Sequence, residues 1–195
     1  QADPIDRPLP VVEYRRDGYA IRPLDHLSLH ADGGELVVLI GPSGTGKTTL
    51  LSCIGGILTP TSGRIRLGDI DVTALSAREL QRYRREQVGF VFQAFNLVPS
   101  LTAAENVESA MVPLGGDRST RRARSVELLD RVGLSSRATH LPSRLSGGEQ
   151  QRVAIARALA NEPRVILADA PPGNPDSRTA REVVHPPATL PPDHG

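Results

Sequence analysis

With 195 residues, 38% hydrophobic, 3% aromatic and 23% charged, the chain has the make-up of one folded domain and not of a disordered segment. A net charge of +1 gives no global reason for nucleic-acid binding, and no apolar run approaches the ~20 residues of a membrane helix. The single cysteine, Cys53, excludes an internal disulfide and a multi-cysteine metal site; with no apolar signal core near the start, a cytosolic compartment is expected.

In chain order, residues 1–10 carry three prolines and no periodicity and read as a disordered lead. Residues 11–14 and 27–30 are predicted as short strands separated by a turn at Asp17-Gly18. Leu36-Val37-Val38-Leu39-Ile40 is a continuous apolar run between turn residues, the pattern of a strand buried on both faces in a parallel sheet. A helix is predicted over 48–57, then strands over 65–67 and 88–91, with polar helices over 77–87 and 120–132. Residues 146–161 form the strongest predicted helix, and 165–167 a further buried strand. Strands alternating with helices indicate an α/β fold. Beyond about residue 184 the pattern stops, and 185–195 is a proline-rich tail.

Between the apolar run and the next helix lies Gly41-Pro42-Ser43-Gly44-Thr45-Gly46-Lys47-Thr48, which fits G-x-x-x-x-G-K-[ST] in its confirming strand–loop–helix context. Glycines let successive N–H groups curl toward one point, and the helix N-terminus adds its partial positive charge there. Lys47, the only lysine beside 22 arginines, is placed to reach β- and γ-phosphates, and the Thr48 hydroxyl to ligate Mg²⁺. Leu145-Ser146-Gly147-Gly148-Glu149-Gln150 opens the 146–161 helix. Ser146 and Glu149 are sufficient as a capping box. The two glycines weaken the helix by roughly 1 kcal/mol each and instead leave first-turn N–H groups approachable, which suits a phosphate completed by another subunit.

Together these residues resemble the ATP-binding-cassette (ABC) ATPase subunits of transporters over roughly residues 11–184, with a helical subdomain at about 94–145. Gly41–Thr48 matches the family's Walker A loop, continued by Thr49, and Leu145–Gln150 its signature motif. Phe90-Val91-Phe92-Gln93 is similar to the segment carrying the Q-loop glutamine, and the continuation through Val107 to the lipoprotein-release and macrolide-export branch. Tyr14 resembles the aromatic that stacks on adenine, ahead of Tyr19, and Asp169 the Walker B aspartate. The resemblance implies a P-loop fold with a parallel core sheet, a small N-terminal antiparallel β region and a helical subdomain. It implies ATP and Mg²⁺ as ligands, with Thr48, Gln93 and Asp169 at the metal and Ser146, Gly147, Gly148 and Glu149 closing a partner's site. The implied partners are a second ATP-binding subunit and a membrane permease, and the implied place is the inner face of the cell membrane; no nucleic acid is expected.

The match breaks near the end. Ala170 stands where the family has the glutamate that polarises water, Pro172 where Thr or Ser is usual, and Pro175 in the Asn-Leu-Asp loop. The segment with a further strand and the switch histidine does not follow, and His185 is no replacement, so an incomplete central sheet and a truncated family member are expected. Beside the transport ATPase, this leaves a hydrolysis-deficient nucleotide-binding module as an alternative. A DNA-repair or chromosome ATPase is weakened by the lack of a heptad run between the two motifs. Cys53 reads as a packing residue, His30 and His140 as structural or surface residues, and the arginines within 82–85 and 118–124 as solvated helix faces.

Overall fold

The computed structural model describes residues 12–16, 19–24, 27–42 and 44–169; Ser43, Ala170, the lead and the proline-rich tail lie outside them. The described residues divide into two units. One runs to Gln93 and resumes at Asn161; the other is Ala94–Ala160.

In the first unit β1 (Val12–Arg16) and β2 (Tyr19–Leu24) form an antiparallel hairpin, with Tyr14 opposite Ile21. The partner of the first strand is therefore the segment just after it, not residues 27–30, which form no strand. α1 (Lys47–Ile54) starts directly from the glycine-rich loop and buries Leu50 and Cys53. β3 (Arg66–Leu67) and β4 (Ile70–Asp71) pair as a short hairpin. α2 (Ala77–Glu86) opens with a capping box between Ser76 and Glu79 and buries Tyr83, whose hydroxyl donates to the Ile54 carbonyl at 2.8 Å. β5 (Val88–Val91) and β6 (Val165–Ala168) run parallel, Val88 opposite Val165 and Val91 opposite Ala168. Leu50, Cys53, Ile65, Val72, Tyr83, Val88 and Leu167 make the core of this unit.

The helix end is fitted to the sheet at Gly55. A Cβ there would stand 1.9 Å from the Phe90 ring, so only glycine lets the chain leave α1 this close to β5. Residues 36–40 correct the sequence reading. They form no strand, and Val38 is 56% and Ile40 92% exposed; only Leu39 packs against the core. The reason is pairing: among the described residues β5 and β6 bond only to each other, and a run with no ladder partner leaves its peptide groups to water.

The second unit is helical. α3 (Ala103–Met111), α4 (Arg118–Arg131) and α5 (Gly147–Leu159) pack on one another through Ala104, Val107, Leu128, Leu129, Val153 and Ala154, all fully buried. α3 was not predicted, although the Thr102–Glu105 capping box that starts it is a legible signal. Its buried Asn106 accepts from the Val98 N–H and donates to the carbonyls of Val98, Leu101 and Thr102, which fixes the approach to the helix. No helix among the described residues is long and apolar enough to cross a membrane.

Candidate functional site

Gly44 and Gly46 take left-handed φ values of 83° and 86°, which turns the loop back on itself before α1 begins. Gly46 is the N-cap residue of α1 and supplies no side-chain cap, and the first turn holds no acidic residue. The first-turn N–H groups and the dipole of α1 are thus left for an anion from outside.

Lys47 is folded over this loop. Its Nζ donates to the carbonyls of Gly41 and Pro42, each at 2.7 Å, and to Thr45 Oγ1 at 3.1 Å, while Thr45 Oγ1 donates to the Pro42 carbonyl at 2.9 Å. The ammonium is therefore held above the loop by weak acceptors that phosphate oxygens would replace with charged ones.

Thr48, next on the helix, donates through Oγ1 to Asp169 Oδ2 at 2.9 Å, across 121 positions of sequence. The parallel ladder makes this possible: the Asp169 N–H donates to the Val91 carbonyl at 2.9 Å, so Asp169 leaves β6 level with the end of β5. A hydroxyl and a carboxylate side by side form a hard oxygen pair suited to Mg²⁺, which keeps several waters and completes its shell with substrate phosphates. Among the described residues no group of three or more His, Cys, Asp and Glu is placed to hold a metal ion.

The structure thus brings together Gly41, Pro42, Thr45, Lys47, Thr48 and Asp169. Thr49 lies on the same first turn of α1 and is half-buried. Gln93 is exposed, two residues beyond the Val91 carbonyl that Asp169 binds. Tyr14 has a place in the β1 register. Ser146, Gly147, Gly148 and Glu149 belong to the helical unit. There the Ser146 hydroxyl accepts from the Glu149 N–H at 3.3 Å and the Glu149 carboxylate from the Ser146 N–H at 2.7 Å. The Ser146 bonds, with help from Arg137 at 3.1 Å, hold the Glu149 carboxyl below its ordinary range. Apart from its chain neighbours and its own helix backbone, nothing among the described residues stands within 4 Å of where a Cβ on Gly147 would sit. Within the helical unit one long-range contact left no sign in the sequence: Arg157 on α5 donates to the carbonyls of Asn96 and Phe95, a group every residue carries.

Against known proteins, the model of the "ABC transporter" family matches residues 24–172. An uncharacterized ABC transporter ATP-binding protein of Mycobacterium bovis is 56% identical over 177 residues, 89% of this chain and 53% of its own length. The macrolide export ATP-binding/permease protein MacB of Rhodospirillum rubrum is 47% identical over 186 residues, 92% of this chain and 29% of its own. The ATP-binding cassette MJ0796, solved as a dimer in a post-hydrolysis state bound to ADP and Pi, superposes with a TM-score of 0.80 at 43% identity, over 89% of this chain and 77% of that one. The chain spans about half the length of the first of these relatives. With a family model matched over most of its length, and with the loop, the lysine and the Thr48–Asp169 pair in place, the chain belongs to the ABC transporter family.

Proposed function

We propose that this chain is the ATP-binding part of an ABC exporter, taking Mg²⁺·ATP on the Gly41–Thr48 loop and coupling its binding and hydrolysis to a membrane permease. The observation that carries the reading is Thr48 Oγ1 bonded to Asp169 Oδ2 beside a lysine already aimed over the phosphate loop. The loop N–H groups and α1 bind the phosphate chain, and Lys47 exchanges its carbonyl acceptors for β- and γ-oxygens. Thr48 and Asp169 would hold Mg²⁺, with Gln93 as the third protein group. When bound, Mg²⁺ neutralises charge developing on the phosphates. Tyr14 is assigned to the adenine, and Ser146–Glu149 to the nucleotide of a second ATP-binding subunit. Export is favoured by likeness to MacB, whose name joins ATP-binding and permease parts. The place of action is then the cytoplasmic face of the membrane.

Ala170 favours a slow version of this enzyme. A positioned general base contributes ~10²–10⁴-fold, and alanine can neither take a proton nor orient water. Calorimetric titration of ATP with Mg²⁺ tests the reading: binding to the chain, and a loss of about 10–100-fold in Lys47→Ala, are expected from removal of one charge-assisted contact. Equal affinities in the two proteins would sink it.

A further inference from the structure

Of the two helix starts assigned to phosphate, α1 has no acid in its first turn, whereas α5 has Glu149. A carboxylate is stable beside a helix N-terminus, but it repels a second anion brought to the same turn. In the α5 turn the Ser146 hydroxyl takes the Glu149 N–H and the Ser146 carbonyl takes the Gln150 N–H. That leaves the N–H groups of the exposed Gly147 and Gly148 for an acceptor from outside. The Glu149 side chain is only 18% exposed, so water screens its charge poorly. Arg137 answers that charge. Its Nε donates to Glu149 Oε1 at 3.1 Å while Oε2 accepts from the Ser146 N–H at 2.7 Å, so each carboxylate oxygen has its own donor. The arginine stands on a fixed mount. Leu134 before it is buried, and the carbonyls of Ala138 and His140 after it accept at 2.9 and 2.8 Å from the Ala104 and Ala103 N–H groups, the orphan donors that open α3. All of these residues belong to the helical unit.

We infer that Arg137 is a positioning residue for the start of α5, acting through Glu149: it cancels the carboxylate's charge and fixes its direction, so that the Gly147–Gly148 turn can receive the phosphate of a nucleotide held by a second copy of this chain. The inference rests on the assignment of Ser146–Glu149 to that nucleotide. A merely structural arginine would be missed whatever residue 149 carried. An arginine that serves by its charge is missed only while residue 149 is an anion.

The test uses the full chain with Mg²⁺ and ATP, and its variants Arg137→Gln, Arg137→Lys, Glu149→Gln and the double Arg137→Gln/Glu149→Gln. Glutamine at position 149 keeps an acceptor for the capping box and removes only the charge. ATP-dependent self-association is measured by sedimentation velocity, and ATP binding to the dilute single chain by calorimetry. Arg137→Gln should weaken association by about fivefold to tenfold, with ATP binding to the single chain unchanged. Arg137→Lys, which keeps the charge, should lose less. Glu149→Gln should associate at least as tightly as the parent, and the double variant should return to within about twofold of it. Undiminished association in Arg137→Gln, a double variant as weak as Arg137→Gln, or a Glu149→Gln weaker than Arg137→Gln would overturn the inference alone. Should Arg137→Gln not fold, Arg137→Met, which keeps the aliphatic stem, is read in the same way. An ATP-driven dimer in none of the proteins, the parent included, overturns the assignment of Ser146–Glu149 to a second subunit's nucleotide and the inference with it.

Discussion

Two helices of this molecule begin in glycine-rich turns, and they begin in opposite ways. α1 starts after Gly46, with no side-chain cap and no acid in its first turn. α5 starts after Ser146, closed by a reciprocal capping box with Glu149. An uncapped start leaves N–H donors and the positive end of the dipole unspent, which is costly unless something from outside takes them. A capped start with bare glycines spends two donors internally and keeps the surface open to approach. On the function proposed above, the first would hold an anion and the second would present a finished, low-profile turn to one held elsewhere.

The sharpest way to break the comparison is to ask whether α1 owes its position to the phosphate loop or to its other end. A methyl group at Gly55 would overlap the Phe90 ring at 1.9 Å. Gly55→Ala should therefore cost about 1–3 kcal/mol or more through forced movement of packed groups, well above an ordinary surface change. Denaturant titration measures it. A neutral result would mean that α1 is loosely seated on β5 and that its exact start matters less than we argue.

Gly46→Ala and Gly147→Ala should then differ in sign. At φ 86° an alanine pays roughly 1–2 kcal/mol for left-handed backbone, and Gly46→Ala should lose both stability and ATP affinity. Gly147 lies inside α5 with open space about it, so alanine there should stabilise by up to ~1 kcal/mol through helix propensity. Melting curves separate the two; a shift of the same sign in both would show that the two turns are not distinct in kind. Ser146→Ala should cost about 1 kcal/mol, the usual worth of an N-cap hydroxyl, and read out in the same melts.

Legibility followed the range of the interactions. The phosphate loop was readable because its chemistry is local, and β5 and β6 because short apolar runs met each other in a ladder. Residues 36–40 carry the same apolar signature and make no strand: composition says what a strand would bury, not that a partner is there to bond it. α3 escaped because Ala103–Met111 offers few large apolar residues at helical spacing, and only its capping box announces it. Asp169 was reached by resemblance, since nothing local ties it to Thr48 across 121 positions. Arg157 was unreadable because any residue can supply a carbonyl.

The mildest test acts on the caps together. Glu105, Glu149 and Asp117 all lie in the helical unit, and each carboxyl is held below its ordinary range: Glu105 and Glu149 by the backbone and hydroxyl of their cap partners, Asp117 by the hydroxyls of Ser119 and Thr120. A carboxyl whose pKa is lower folded than unfolded stabilises the fold above its unfolded value and loses that contribution as pH falls through the folded one. For the glutamates the decline should begin near the ordinary value of 4.5 and continue below it. α1 has no acid in its first turn to protonate. On acidification, amides in the first turns of α3, α4 and α5 should therefore lose exchange protection at higher pH than those of α1, while Ser146→Ala should narrow the gap at α5 only in part, because it removes the hydroxyl but leaves the Ser146 N–H donating to the Glu149 carboxylate. If the α1 amides open at the same pH or sooner, the caps do not govern the helical unit, and the contrast between the two helix starts reduces to one of ligand access alone.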